Sequence, residues 1–368
     1  MGGGCVIFRA NLYTTTTSAT CRVKNLGRLF ICRVFFPKTL IIVVNKMRPS
    51  FLLTCSVFFL DFGSRHFSFA SFIPKINKEN VRFNSLKTDE ALPKNVDDIF
   101  DSFAEFLTDA QTEIIAAIEA HESNADKVQF CSDAWTNDET SSRGLTRVIQ
   151  PTKNEDCFIE KGAVSTTFLE NGILSAERAK AIQGRRAKQV KSGEGDSFTP
   201  AEGDTYKAAA LSLVLHTRSP MVPTFRSDVR IFVVRSKETG QSLAWFGGGA
   251  DLTPYYLYDE DIREFHERYR NLCNDHFEDN GKTYHDMKQM CDNYFYIPAR
   301  KEHRGTGGIF WDDMIATSKT YAFTKAVANE WMPSWLGIVS KRNSLPYNDQ
   351  QRQWQLLRRG RYLEFNLL

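Results

Sequence analysis

Apolar residues recur at steps of three and four along the segment that begins near residue 95. Acidic residues fall in what would be its first turn, where the positive end of a helix dipole favours negative charge. The spacing therefore predicts an amphipathic helix with one buried face. The apolar positions are Ile99, Phe103, Phe106, Ala110, Ile114 and Ile118, and the acids are Asp97, Asp98 and Asp101.

Three further helices are predicted by the same criteria. One begins after Ser175, whose hydroxyl is placed to cap it, one covers 259–276 and one covers 350–359. His266 lies on the apolar face of the second of these helices. A lone histidine in that setting is more often a core residue than a catalyst, so both roles stay open. A strand is predicted after the last helix, over 360–368.

Alternation of apolar and polar residues, or an aromatic run, predicts strands over 144–150, 158–167, 208–216, 227–235 and 294–298. In the fourth of these, Val229 and Ile231 lie on the face opposite Arg230. Phe232 shares the face of Arg230, which indicates that this face is half-buried rather than open to water. A half-buried arginine needs an acidic partner or ligand, and an exposed strand arginine is the alternative.

Three consecutive glycines, Gly247, Gly248 and Gly249, separate an aromatic pair from Asp251. Such a run usually marks a place where side chains cannot fit, either because backbone approaches a ligand or because the chain bends or bulges. Asp251 would then lie at the edge of the space that the glycines leave. A glycine-rich turn with a solvated aspartate is the alternative, and the Thr-Pro pair at 253–254 is typical of a helix start.

A second glycine-rich stretch, at 305–308, directly follows the arginines Arg300 and Arg304. Backbone N–H groups and guanidinium forks that face one space form a good anion receptor. Any anion binding must be local, because the formal net charge of the 368-residue chain is only +3. That balance argues against the broad basic surface of a nucleic-acid-binding protein.

The body of the chain is predicted to be one domain over 90–368. The segment 185–204 is rich in lysine, glycine and serine and predicts a surface loop, and no repeat or linker follows it. None of the eight cysteines forms a C-x-x-C pair, so neither a structural zinc site nor a disulfide framework is expected.

The first 60 residues contain no acid and eight lysines or arginines, which is typical of an organelle transit peptide. A second candidate start, Met47, precedes an apolar run that resembles a secretory signal, as in the bipartite presequences of plastids. We therefore predict a targeting presequence over 1–85 and a plastid location. A mitochondrial location and a wrongly assigned gene start are the alternatives. The apolar runs are shorter than the about 20 residues that cross a bilayer, so no transmembrane segment is predicted.

Five segments resemble, in the same order, those of the oxygen-dependent coproporphyrinogen III oxidase family. They are RGLTRVIQ at 143–150, SLVLH at 212–216, WFGGGADLTP at 245–254, YFY at 294–296 with RGTGGIFWDD at 304–313, and RRGRYLEFNLL at 358–368. Any one of them would be a weak signal, whereas five in the family's order are specific. The resemblance covers about residues 95–368.

The resemblance implies an α+β fold in which a large antiparallel β-sheet is flanked by helices on both faces. It also implies a homodimer with no obligatory cofactor. No metal-binding residue is predicted. The implied reaction uses dioxygen to convert two propionates of coproporphyrinogen III into vinyl groups, with release of carbon dioxide.

The site residues are implied by the same resemblance, and they suit the substrate. Its four carboxylates call for arginine forks, its four pyrrole N–H groups call for an acceptor such as Asp251, and its flat macrocycle suits a glycine floor. The expected catalytic residues are Asp251, His216 and His266. The expected substrate-binding residues are Ser212, Arg226, Asp228, Arg230, Arg300, Arg304, Gly247, Gly248 and Gly249.

Three positions depart from the family pattern. Arg226 stands where most members have a histidine that is proposed as proton donor in some, Asp228 stands where asparagine is usual, and Ala299 replaces a second histidine. A guanidinium stays protonated and cannot shuttle a proton near neutrality, so Arg226 is expected to bind substrate. The Asp-Arg-Gly segment of the family, expected just after residue 368, is absent from the sequence.

These departures leave two functional hypotheses. The first is an active oxidase, and the alternative is a catalytically impaired paralogue that acts as a tetrapyrrole-binding or regulatory protein. A metal-dependent enzyme built on His216 and His266 has little support, because two histidines with no identified acidic third ligand make a poor metal site.

Overall fold

The computed structural model describes strand backbones within residues 21–61 and then residues 95–121, 129–138, 141–150, 157–190 and 199–367. The chain divides into two compact units, Met1–Asn84 and Ser85–Leu368. In the first unit, four strands form an antiparallel sheet in chain order: β1 (Cys21–Asn25), β2 (Leu29–Phe36), β3 (Thr39–Lys46) and β4 (Thr54–Asp61). The predicted presequence covers these strands and residues outside the described ones, and its targeting role stays a prediction.

A seven-stranded antiparallel sheet organises the second unit. Its strands are β5 (Gln129–Asn137), β6 (Ser142–Gln150), β7 (Ile159–Ile173), β8 (Thr205–Thr217), β9 (Thr224–Arg235), β10 (Ser242–Thr253) and β13 (Gly307–Ile315), in the order β13-β10-β9-β8-β7-β6-β5. A separate two-stranded pair is formed by β11 (Tyr296–Ile297) and β12 (Glu302–His303). The helices are α1 (Val96–His121), α2 (Ala176–Val190), α3 (Asp259–Phe277), α4 (Lys282–Phe295), α5 (Ser318–Arg342) and α6 (Asp349–Leu367). The predicted α+β class with a large antiparallel sheet is confirmed.

The apolar core lies between one face of this sheet and helices α1 and α5. All six residues of the apolar stripe predicted for α1 are buried. Phe103 of α1 packs against Phe246 of β10 and Tyr321 of α5, with ring centroids 5.0 and 6.1 Å apart. Trp335 of α5 stacks on Phe225 and donates its indole N–H to the carbonyl oxygen of Pro223 at 3.0 Å. Burial of each such side chain contributes roughly 1.5–3 kcal/mol.

Two predicted helix starts are also confirmed. The backbone N–H of Arg178 donates to the Ser175 hydroxyl at 3.3 Å, so Ser175 caps α2. Helix α3 begins at Asp259, as its apolar spacing predicts. By contrast, α2 continues to Val190, so the first part of the predicted loop 185–204 is helical. Residues 191–198 of that loop lie outside the described residues.

Two predicted strands are wrong. Residues 360–367 continue helix α6 instead of forming a strand. Helical spacing places Tyr362 and Phe365 on the same side, where both cover the guanidinium of Arg304. A Cβ at Gly360 would meet nothing within 4 Å, so packing does not require a glycine at this position of the helix. In the aromatic run 294–298, the first two residues end α4 and only Tyr296–Ile297 is extended.

The glycine-rich stretch is a strand and not a turn. Strand β10 runs through all three glycines and is paired on both sides, by β9 and by β13. Its Thr-Pro sequence does not start a helix, since α3 begins five residues after Pro254. Neighbouring strands supply hydrogen bonds on both edges, and these override the low strand propensity of glycine.

Candidate active site

Strands β9 and β10 place charged side chains opposite glycines. Because side chains alternate along a strand, those of Arg226, Asp228 and Arg230 share one face with that of Asp251. The register pairs Arg226 with Asp251, Asp228 with Gly249, and Arg230 with Gly247. This face lies opposite the apolar core, and together with Arg304 and Asp312 these four residues form what we call the polar cluster.

Gly247 leaves room for an ion pair within the polar cluster. A Cβ at this position would lie 2.8 Å from Arg230 Nε and 2.8 Å from Asp312 Oδ1. A Cβ at Gly249 would lie 2.7 Å from the backbone oxygen of Ile309. The prediction that side chains cannot fit along this stretch is therefore confirmed.

Gly248 faces the other side of the sheet, where a Cβ would lie 2.8 Å from the Trp311 ring. The pairing of β10 with β13 shifts register between Phe246 and Gly248, which is the bulge that the glycines predicted. Asp251 is only 1% exposed, so the alternative of a solvated aspartate in a turn is wrong.

Asp228 holds two arginines at once. Its Oδ1 lies 2.5 Å from Nη1 of Arg226, and its Oδ2 accepts a hydrogen bond from Nη1 of Arg230. Nη2 of Arg230 donates to Asp312 Oδ1 at 3.2 Å. Burial by itself would lower the pKa of Arg230, but Asp312 and Asp228 raise it above its ordinary value. The acidic partner that a half-buried Arg230 was predicted to need is thus confirmed.

Arg304 and Asp251 form the most deeply buried ion pair of the cluster. Nη2 of Arg304 donates to Oδ2 of Asp251 at 2.6 Å, and the two side chains are 2% and 1% exposed. The guanidinium lies 3.9 Å from the ring centroid of Phe295 and 4.1 Å from that of Tyr362. Among the described residues, none bonds to Oδ1 of Asp251 or to Nε of Arg304. A buried polar atom without a partner costs about 1–3 kcal/mol, so a hydrogen bond from a ligand to either atom would stabilise the site.

His216 lies at the end of β8, beside this cluster. Its Nδ1 is 2.9 Å from the hydroxyl of Thr224, and its ring meets Tyr362 edge to face with centroids 5.3 Å apart. Burial and the nearby guanidinium of Arg359 hold the pKa of His216 well below its usual value. The imidazole is therefore neutral near neutral pH. Ser212, on the same strand, is the register partner of Asp228.

Two predicted site residues make their contacts elsewhere. His266 accepts or donates a 2.9 Å hydrogen bond with Tyr284 of α4 and packs edge to face on Phe265. Burial and Lys288 lower the pKa of His266 to about 4. These contacts favour its interpretation as a core histidine. Arg300 is 44% exposed and binds Glu364 of α6, so it does not join the polar cluster.

Several residues around the cluster were not identified from the sequence. They are Asp312, Thr224, Tyr255, Glu160, Arg352, Arg359, Phe295, Tyr362 and Phe365. Asp312 could have been predicted from the sequence, because Arg230 required an acidic partner and an Asp-Asp pair ends the segment 304–313. Phe295, Arg359, Tyr362 and Phe365 lie within the family segments at 294–296 and 358–368, which did not by themselves assign them a role. The others come from distant parts of the chain and left no local pattern.

Metal-binding and membrane-spanning features were sought in the part of the chain that the structure describes. There, no group of three or more His, Cys, Asp or Glu side chains is arranged to hold a metal ion. Among the described residues, Cys131, Cys157, Cys273 and Cys291 form no disulfide. No described helix combines the length and apolarity that a membrane crossing requires.

The described domain is an α+β fold built on an antiparallel sheet, with buried arginine–aspartate pairs on one face of that sheet. Residues 102–368 match the family model described as coproporphyrinogen III oxidase. The chain belongs to the coproporphyrinogen III oxidase family, which is a family of oxidoreductases. The predicted family is therefore confirmed.

Curated relatives carry a matching name. The chain is 36% identical over 269 residues to a protein named oxygen-dependent coproporphyrinogen-III oxidase from Francisella tularensis subsp. holarctica (strain OSU18). The match covers 72% of this chain and 80% of the relative. The protein of that name from Francisella tularensis subsp. novicida (strain U112) is similar to the same extent, with 36% identity over 269 residues.

Proposed function

We propose that this chain catalyses the oxygen-dependent oxidative decarboxylation of coproporphyrinogen III to protoporphyrinogen IX, a step of porphyrin biosynthesis. The observation that carries the proposal is the family match over 102–368, which contains the whole polar cluster. The names of the relatives favour an active oxidase over a tetrapyrrole-binding or regulatory paralogue.

The unpaired atoms of the buried ion pair complement this substrate. Oδ1 of Asp251 can accept a hydrogen bond from a pyrrole N–H group, and Nε of Arg304 can donate one to a propionate. Both act in a buried site, where charge-assisted hydrogen bonds are stronger than in water. The proposal thus gives each unpaired atom a partner on the substrate.

Arg226 and Arg230 are proposed to bind further propionates. In the free protein, their shared partner Asp228 and the nearby Asp312 neutralise them. A substrate carboxylate would take the place of an aspartate carboxylate beside the guanidinium. Ser212 lies one strand away and can donate a hydroxyl hydrogen bond to the same group. Gly247 and Gly249 keep this face free of side chains along β10.

The chemistry assigns distinct tasks to these groups. Each reacting propionate loses carbon dioxide, one proton and two electrons to become a vinyl group, and dioxygen accepts the electrons. Arg226 stays charged, because Asp228 raises its pKa in spite of burial. It therefore fixes a carboxylate and does not take the proton, which passes to water or to another group.

Four features of the proposal rest on the resemblance and on the N-terminal composition. The enzyme is proposed to use dioxygen as co-substrate with no organic cofactor or metal, to act as a homodimer, and to reside in the plastid, with the mitochondrion as the alternative. Light scattering of the purified protein tests the dimer. Import of the labelled full chain into isolated plastids and mitochondria tests the location.

The activity is tested with the purified full chain and coproporphyrinogen III, in air and without oxygen. We expect oxygen-dependent formation of protoporphyrinogen IX, detected by fluorescence after oxidation, and release of two molecules of carbon dioxide per substrate. Chelator treatment tests the absence of a metal. Tight binding of coproporphyrin without any turnover would instead identify the paralogue.

A further inference from the structure

A chain of hydrogen bonds runs from His216 to helix α6. Nδ1 of His216 lies 2.9 Å from Oγ1 of Thr224, and this oxygen lies 2.5 Å from the hydroxyl of Tyr255. Nε of Arg359 donates to the Tyr255 hydroxyl at 3.1 Å. Thr224 and Tyr255 are 1% and 6% exposed, so water does not compete freely for these bonds.

The far end of this chain is held by charge. Nη1 of Arg359 binds Oε2 of Glu160 at 2.7 Å, and Arg352 binds both oxygens of the same carboxylate at 2.8 Å. Although burial favours the neutral acid, Arg359 and Arg352 lower the pKa of Glu160 to about 2. Arg359 is therefore fixed by a permanent counterion, and it can only donate to Tyr255.

The fixed donor sets the direction of the other bonds. With its oxygen lone pair used by Arg359, the Tyr255 hydroxyl is free to direct its hydrogen to Oγ1 of Thr224. Thr224 has a single hydroxyl hydrogen, and the remaining acceptor is Nδ1 of His216. If the bonds ran the other way, His216 would donate to Thr224 and Thr224 would donate to Tyr255. The Tyr255 hydrogen would then have no acceptor among the described side chains that bond to it. When Arg359 donates to Tyr255, Tyr255 to Thr224 and Thr224 to His216, every one of these groups has a hydrogen-bond partner.

These hydrogen bonds restrict the neutral ring of His216 to one tautomer. An imidazole that accepts a hydrogen bond at Nδ1 carries its hydrogen at Nε2 when it is neutral. The charged groups that face it are Arg359 and Arg304, which disfavour a second proton, and Glu160 and Lys161, which oppose each other. An Nε2–H group suits a substrate carboxylate, which only accepts hydrogen bonds. The other tautomer would present a lone pair to it.

We propose that Thr224 and Tyr255 are positioning residues that hold His216 as the Nε2–H tautomer, so that it binds a substrate carboxylate as a neutral hydrogen-bond donor. This inference rests on the proposed function and assigns a role within the same site. It also explains how a histidine can serve the reaction without gaining or losing a proton.

The test is nuclear magnetic resonance of the full chain labelled with ¹⁵N-histidine, in which long-range couplings identify the protonated ring nitrogen. Loss of a signal in His216→Gln assigns the residue. In the wild type we expect a protonated Nε2 and an unprotonated Nδ1 at neutral pH. Thr224→Val and Tyr255→Phe should give a mixture of tautomers, whereas Thr224→Ser should retain the Nε2–H form. Tyr256→Phe, which changes the adjacent tyrosine, is the matched control and should behave as the wild type.

Turnover of coproporphyrinogen III gives the second readout. We expect Thr224→Val to lower kcat/KM by roughly tenfold, the effect of one hydrogen bond, with Thr224→Ser recovering most of the loss. A wild-type Nδ1–H tautomer, or a charged ring at pH 7, would overturn the proposal. So would a Thr224→Val protein that loses the tautomer but keeps its kcat/KM. If the wild type shows the expected tautomer and no turnover under any condition, the proposed function fails and the role in catalysis falls with it.

Discussion

The guanidinium of Arg304 donates to the carboxylate of Asp251 at 2.6 Å, although 53 residues separate the two in the sequence. Sequence reasoning assigned them to different substrate groups, a propionate and the pyrrole N–H groups. In the folded protein each is also the other's counterion, and both are almost fully buried. Their roles in binding and in stability are therefore coupled.

Replacement of Asp251 with alanine should destabilise the fold as well as abolish turnover. It leaves the Arg304 charge buried without a partner, which costs about 3–5 kcal/mol. Urea unfolding measures this free energy, and the double variant Asp251→Leu/Arg304→Met should recover most of the loss. Arg300→Ala removes only the exposed pair with Glu364 and should cost less than about 1 kcal/mol. Equal stability of Asp251→Ala and the wild type would contradict the coupling.

Arg230 should matter for propionate binding far more than Arg300. We expect Arg230→Ala to weaken binding of coproporphyrin, a stable analogue of the substrate, by about 2–5 kcal/mol, the range for breaking a buried charge pair. Arg300→Ala should change it little, because Arg300 lies outside the polar cluster. Fluorescence titration measures both affinities. An equal loss for the tetra-ester of coproporphyrin would show that Arg230 does not bind carboxylates.

Arg226→His tests whether the arginine is part of a working site. The substitution shortens the side chain that Asp228 holds at 2.5 Å and removes a permanent charge. We expect a higher KM and no gain in kcat, since arginine binds a propionate more firmly than histidine does. The double variant Arg226→His/Asp228→Asn controls for the unbalanced aspartate. A rise in kcat with weaker binding would show that the arginine impairs catalysis.

Acid should destabilise the protein in two separate windows. Between pH 6.5 and about 4, the unfolded chain protonates His266 while the folded protein keeps it neutral, so stability falls as pH falls. Between pH 4.5 and about 2, the unfolded chain protonates Glu160 while Arg352 and Arg359 keep it ionised in the folded protein. In each window, the free energy of unfolding falls by up to about 3 kcal/mol.

Thermal unfolding as a function of pH separates these two contributions. His266→Gln should reduce the pH dependence only in the upper window, to which His216 also contributes because its pKa is lowered as well. Glu160→Gln should reduce it only in the lower window. Each variant thus serves as the control for the other. A single acid transition that neither variant alters would exclude both residues as its cause.

Two glycine substitutions should have opposite outcomes. A Cβ at Gly308 would lie 2.0 Å from the backbone oxygen of Ala250, so Gly308→Ala should fail to fold. The three atoms nearest to a Cβ at Gly247 belong to the side chains of Arg230 and Asp312, which can move. Gly247→Ala should therefore fold, displace this ion pair and weaken coproporphyrin binding. Circular dichroism and the same titration check both outcomes, and unchanged binding by Gly247→Ala would contradict the role of the ion pair.

The sequence alone determined the features that depend on local periodicity. The buried stripe of α1 and the placement of Arg230 opposite Val229 follow from repeats of 3.6 and 2 residues, which side-chain geometry imposes wherever one face is buried. The segments that identify the family are also local, since each carries its residues within about 20 positions or fewer. For these, no knowledge of distant contacts was required.

Only the tertiary structure decided which polar residues meet and where some elements end. Arg300 and Arg304 are four residues apart, yet one binds Glu364 at the surface and the other is enclosed between Phe295 and Tyr362 beside Asp251. The strand through the glycines and the helix through 360–367 likewise depend on partners far away in the chain. Burial, ion pairing and strand pairing are set by such long-range contacts, and their free energies exceed the local preferences that a sequence pattern reports.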